Sequence, residues 1–209
     1  MIKRLVVEFI GSFFISLVVC MTAYSANPQF AALASGFVLA GLMYASGHLS
    51  GAHFNPAVSI AVFLRGKMNL NVVPMYILSQ CAGSIVAAII ALLLISNQTI
   101  TPIHLESKPL EGILAEFIGT FAIVYVLLNV ATSKVTLGND YYGIAIGLTL
   151  TACSFALGGV SGAAFNPAVS LAICFSKIST FSNLWIYWVG EILGGVLAAV
   201  VFLFLNGKE

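Results

Sequence analysis

Charge is what this chain has least of. Lys, Arg, Asp and Glu together make up 7% of its 209 residues, against roughly 25% in an ordinary soluble domain. With a net charge of +1, no basic surface is available for nucleic acid, which is excluded as a partner. Arginine occurs only as Arg4 and Arg65, and aspartate only as Asp140. No aspartate pair can therefore sit within an apolar segment, and neither an HExxH nor a GxSxG pattern occurs. Those absences argue against an intramembrane hydrolase. The cysteines, Cys20, Cys81, Cys153 and Cys174, show no CxxC spacing and all lie in apolar stretches. They are expected to be small packing residues, with no metal site and no cofactor.

What remains is apolar. Hydrophobic residues make up 60% of the chain, and its mean hydropathy is +1.07. Six runs are long enough to cross a bilayer, at roughly 4–26, 29–48, 71–96, 111–132, 141–159 and 180–205. The expected class is an all-α integral membrane protein with the lipid bilayer as its surroundings. With six spans, the termini and the 49–70 and 133–140 loops share one side. That side holds Lys3, Arg4, Arg65, Lys67, Lys134 and Lys208, and the other only Lys108 and Lys177. Basic residues mark the cytoplasm, so both termini are expected there, most simply at the cell membrane.

Two shorter apolar stretches follow a repeated decapeptide. SGAHFNPAVS (Ser50 to Ser59) returns as SGAAFNPAVS (Ser161 to Ser170). Shifting the chain by 111 residues also brings Gly36 onto Gly147, Tyr76 onto Tyr187, Gln80 onto Glu191 and Gly83 onto Gly194. EFIGSF (Glu8 to Phe13) matches EFIGTF (Glu116 to Phe121) at a shift of 108. The chain thus reads as a single transmembrane domain over 1–209, built from two repeats, 1–100 and 108–209. Each repeat holds three spans, an odd number, so the second enters the membrane inverted relative to the first.

Asn is a strong helix cap and Pro is favoured at the first helical position. Asn55-Pro56-Ala57 and Asn166-Pro167-Ala168 should each open a helix that crosses half of a bilayer. Irregular backbone at that depth is tolerated only against protein or a water-filled lumen. Gly51, Ala52, His53 and Gly162 are therefore expected to line a pore or to brace its loops. The Asn side-chain oxygens cap the helices and leave amide N–H groups to donate to passing solute. Two helix N-termini, each carrying about half a positive charge, would repel cations between them.

Glu8, Glu116 and Glu191 fall inside spans, where a carboxyl is costly. They read either as proton relays or as acceptors for the exposed backbone of the re-entrant loops. Gln80 at the site matching Glu191 favours the second reading. His53 reads as a neutral pore-lining or loop-bracing group or as a pH sensor.

The paired NPA boxes, the two EFIG segments and SGAHFNPAVS resemble the aquaporin (major intrinsic protein) family along almost the whole chain. The resemblance implies six spans plus two half-helices and one pore per subunit. It also implies a homotetramer and passive flow of water or small neutral solutes. That family normally places Arg directly after the second NPA box. Here the position is Val169. The resemblance puts the other outer-filter positions at Ser35, Ser154 and Ala163. Such a ring would be wide and uncharged, as in a channel for glycerol, urea or ammonia, unless the 97–110 loop with His104 and Glu106 plugs its mouth. A secondary transporter is the rival reading, since broken helices in inverted repeats occur there too.

The basic-residue bias makes a direct prediction. Epitope tags at either end should become accessible to antibody only after the cell is permeabilised; labelling of intact cells would reverse the orientation.

Overall fold

The structure is a computed structural model that describes residues 1–95 and 99–208. Among these residues, six helices are long and apolar enough to cross a membrane, with mean hydropathies between 1.6 and 2.3. They are α1 (Ile2–Ala23), α2 (Ala31–Ser50), α4 (Val73–Leu94), α5 (Pro109–Ala131), α6 (Tyr142–Ser161) and α8 (Leu184–Asn206). At 22 residues, α1 is about 33 Å long, enough for a ~30 Å hydrocarbon core. Two short helices lie between them, α3 (Pro56–Leu64) and α7 (Pro167–Phe175). Each has 9 residues and reaches about 14 Å, half a membrane.

The long helices carry their apolar side chains outward. On α1, Val6, Ile10 and Phe14 are exposed at successive helical turns, while Glu8, Gly11, Ser12 and Ile15 are buried. On α8, Leu193, Leu197 and Phe204 face out, while Gly190, Glu191 and Gly194 are buried. Small and polar residues inside with large apolar residues outside is the order a lipid solvent demands.

Two helix ends lie slightly beyond the sequence expectation. The second and fifth spans run on to Ser50 and Ser161, past the expected ends at 48 and 159. Gly47 and Gly158 stay helical, and their carbonyls accept from the N–H of Gly51 and Gly162. Those two glycines are the true caps, left-handed at φ 91° and 92°, a conformation that glycine adopts without steric cost.

The bundle interlocks through the half-helices. The most extensive span contacts are α5 with α8, α1 with α4, and α2 with α6. α3, from the first half of the chain, packs on α8 of the second half. α7, from the second half, packs on α4 of the first. The tips of α3 and α7 also touch, so the two half-helices form one composite span.

Close approach rests on glycine. A Cβ on Gly190 would lie 2.6 Å from the Ile113 carbonyl oxygen, and one on Gly194 would lie 2.5 Å from that of Phe117. Gly36 and Gly147 face each other's backbone in the same way across α2 and α6. The GIAIG (Gly143 to Gly147) and GEILG (Gly190 to Gly194) patterns thus pack helices within the chain. Among the cysteines, Cys20 and Cys174 are buried, whereas Cys81 and Cys153 are only partly so.

This packing predicts that Gly190→Ala and Gly194→Ala each destabilise the protein by about 1–3 kcal/mol, as overpacking does. Gly41 has open space at its Cβ position, so Gly41→Ala should be neutral within about 0.5 kcal/mol. Retention of folded protein after heating in detergent measures both.

Candidate functional site

Each re-entrant loop is turned by alternating left-handed residues. Ala52 and Phe54 have φ of 50°, and Ala163 and Phe165 have φ of 56° and 49°. Such a conformation costs a residue with a side chain about 1–3 kcal/mol and persists only where surroundings over-determine it. Here the surroundings are carboxylates. The Ser50 hydroxyl donates to Glu8 Oε1 at 2.6 Å, as does the His53 N–H at 3.0 Å. The Phe54 N–H donates to Glu8 Oε2 at 2.7 Å. In the second loop, Glu116 Oε1 accepts from the Ser161 hydroxyl at 2.5 Å and the Ala164 N–H at 3.2 Å. Glu116 Oε2 accepts from the Phe165 N–H at 2.6 Å. Successive N–H groups converging on one anion form a backbone nest. With its N–H groups turned toward the carboxyl, each loop has carbonyl acceptors left for the opposite side.

Further hydroxyls fix the loops from outside. Tyr76 donates to the Ser50 carbonyl at 2.8 Å and Tyr187 to that of Ser161 at 2.7 Å. Trp188 Nε1 donates to the Pro167 carbonyl at 3.2 Å. Tyr76 and Tyr187 stood out in the sequence only as repeat mates. Nothing in the sequence identified their hydroxyls, or Trp188, as loop anchors, since their acceptors are 21 to 26 residues away in the chain.

The two asparagines meet at the centre of the protein. Asn55 Oδ1 caps α3 through the Ala57 N–H at 2.8 Å, and Asn166 Oδ1 caps α7 through the Ala168 N–H at 2.9 Å. Their amides are not wholly free, contrary to expectation. Asn55 Nδ2 donates to the Phe165 carbonyl, and Asn166 Nδ2 to the Phe54 carbonyl, both at 2.9 Å. An amide has two hydrogens, so one of each pair cross-links the opposite loop and the other can turn to the lumen. Both side chains are nearly buried, at 6% and 7% exposed.

The lumen is an hourglass. A central cavity of about 40 Å³ is lined by both asparagines, His53, and apolar residues including Leu39, Val58, Leu150 and Val169. This is room for more than one water but not for a pool. On the face away from the termini it meets a mouth of about 320 Å³. On the terminus face it meets one of about 380 Å³, lined by Arg4, Lys67, Asn69 and Tyr76. His53 borders both the central cavity and this second mouth. Its Nδ1 lies 3.1 Å from the Ser59 hydroxyl.

The four expected filter residues are spread over a junction rather than around one cavity. Ser35 and Ala163 border both the central cavity and the far mouth, Ser154 only the mouth, and Val169 only the centre. No Lys, Arg, Asp or Glu among the described residues lines either space. Ala52 also lines the centre and Gly162 the far mouth, whereas Gly51 borders a separate hollow with Met43 and Tyr142.

The loop considered as a plug is tied elsewhere. The Ile103 N–H donates to the Ile178 carbonyl at 2.8 Å. Asn183, fully buried, donates to the Ile103 carbonyl at 2.7 Å and accepts from the Leu105 N–H at 3.0 Å. Thr180 and Ser182 donate to Glu106 Oε1. With its own backbone N–H, these hydroxyls hold the Glu106 carboxyl below its usual pKa range. None of the described residues 99–108 lines the far mouth; these side-chain and backbone anchors draw the segment onto the 178–183 turn instead.

The family model described as Major intrinsic protein matches residues 1–202. Aquaporin NIP1-2 of Arabidopsis thaliana is 34% identical, over 96% of this chain and 73% of that protein. Nodulin-26 of Glycine max is 33% identical, over 96% and 77%. Aquaporin TIP2-3 of Arabidopsis thaliana is 36% identical, over 85% and 73%. In fold, the chain is similar to the X-ray structure of the aquaglyceroporin from Plasmodium falciparum. The TM-score is 0.76, over 96% of this chain and 95% of that one, at 21% identity.

Asn55→Ala should remove a helix cap, about 1 kcal/mol, and orphan the buried Phe165 carbonyl, about 1–3 kcal/mol. Thermal unfolding in detergent should show a loss of that combined order. A variant as stable as the parent would mean that the cross-link between the loops contributes nothing.

Proposed function

The chain belongs to the major intrinsic protein family of membrane channels, and on that premise we propose a passive pore for water and small neutral solutes with a wide far-face filter. The observation that carries this reading is that, among the described residues, no charged side chain lines the far mouth or the central cavity. A fixed cation would compete for hydrogen-bond acceptors, narrow the entrance and favour water alone. Here Val169 presents only an apolar surface where the family resemblance expects Arg. The solute must shed part of its hydration to pass the apolar waist. It regains hydrogen bonds from the Asn55 and Asn166 amides and from the loop carbonyls. Neutral hydrogen-bonding molecules such as glycerol, urea and ammonia fit that exchange, and ions do not.

Cation and proton exclusion, on this reading, comes from the opposed N-termini of α3 and α7. Their partial positive charges meet at the waist, where little water is present to screen them. The basic residues at the terminus-face mouth, Arg4 and Lys67, add to the barrier for cations there. The reading extends to a homotetramer with one pore per subunit and to termini in the cytoplasm. Alternating access has no support in a midplane that, among the described residues, offers two amides and no cation cage.

Stopped-flow light scattering on reconstituted vesicles tests the proposal across water, ammonia, urea and glycerol. The expected result is measurable flux for all four, independent of ion gradients. Val169→Arg should lower glycerol flux by about tenfold or more while sparing water, the scale of a 1–3 kcal/mol steric discrimination. Fast water flow with no glycerol or urea flow in the parent protein would reject the wide filter.

A further inference from the structure

The two loop braces differ in one side chain. In the first, Gln80 Nε2 donates to Glu8 Oε2 at 2.8 Å and to the Ser59 hydroxyl at 3.0 Å. In the second, Glu191 stands in Gln80's place. Its Oε1 accepts from the Asn166 N–H at 2.9 Å, and its Oε2 lies 3.2 Å from the Ser170 hydroxyl. That hydroxyl also lies 3.2 Å from the Pro167 carbonyl. The Glu191 carboxyl is within hydrogen-bonding reach of Glu116, and both residues are fully buried.

Two ionised carboxylates are acceptors only and cannot bond each other. Side by side in a buried site, two such groups do not both ionise. The other titratable groups facing the pair are Tyr187 on α8 and Cys174 on α7. Among the described residues, no Lys, Arg or His acts on either carboxyl. One proton must therefore be held between them. Glu116 already accepts from three donors, through both oxygens, and so has the surroundings of the ionised partner. Glu191 accepts from one N–H through Oε1; its Oε2, where Gln80 places its amide nitrogen, shares the single Ser170 hydroxyl hydrogen with the Pro167 carbonyl.

We infer that Glu191 is a neutral carboxylic acid whose O–H donates to ionised Glu116, replacing in the second loop the amide hydrogen that Gln80 supplies in the first. Glu191 is then a positioning residue. It holds the Asn166 N–H through one oxygen and orients the Glu116 nest through the other. A proton stored inside the protein completes the scaffold of the pore without lining it.

Infrared spectroscopy of the reconstituted protein tests this directly. The parent should show the C=O stretch of an un-ionised carboxylic acid at neutral pH, and Glu191→Gln should abolish it. Glu191→Gln should also keep thermal stability and water permeability within about twofold, because the amide supplies the same hydrogen. Glu191→Leu should lose most folded protein. The mirror change, Gln80→Glu, should fold and add a second acid band. A band that persists in Glu191→Gln overturns the inference. So does a Glu191→Gln protein as unstable as Glu191→Leu. Solute selectivity enters none of these readouts, so the result stands apart from the proposed function.

Discussion

The pore depends on a carboxylate buried where lipid would not tolerate one. A chain that turns back at mid-membrane must leave its helix and expose backbone polar groups. Glu8 and Glu116 each gather two successive N–H groups from such a turn. That stabilises the left-handed residues at 52, 54, 163 and 165 and directs the carbonyls away from the carboxyl. One side of the loop is thereby satisfied by protein, and the other is left for the lumen. Without the acceptor, the strained turn and the unpaired N–H groups would both be penalised in a low-dielectric interior.

The second constraint couples the two loops. Each asparagine caps its own half-helix and holds the other loop's carbonyl. The half-helices also exchange partners, α3 resting on α8 and α7 on α4. Neither half of the chain can complete its part of the waist alone. The geometry of the lumen is therefore set by contacts between the two halves of the chain, the asparagine cross-links joining residues 110 and 112 positions apart. Glycines at the span crossings allow this, since a single methyl at 190 or 194 would collide with backbone.

Charge is distributed to match. Among the described residues it is absent from the waist and the far mouth, and basic at the terminus-face mouth. In the interior, the acidic groups are confined to the loop braces. A protein with so few ionisable residues uses three of its seven acidic ones there. That places their cost against backbone donors and away from lipid.

Much of this was legible in the chain. The spans follow from run length, because a bilayer fixes how many apolar residues a helix needs. The half-helices follow from Asn-Pro, because capping and the missing proline N–H are local effects. The decapeptide and its copy identified the same residues that converge at the waist. Other features needed the folded molecule. That each asparagine amide is half committed could not be read locally, since its acceptor belongs to the opposite loop. The extension of α2 and α6 to Ser50 and Ser161 was set by the left-handed caps at Gly51 and Gly162, whose place depends on how the re-entrant loops are held. The 99–108 segment was drawn off the mouth by Asn183, a residue some 80 positions away. Sequence determined which groups would be polar and where helices would begin, because those depend on near neighbours. Tertiary structure decided which donor meets which acceptor, because in a buried interior each polar group takes the partner that packing brings to it.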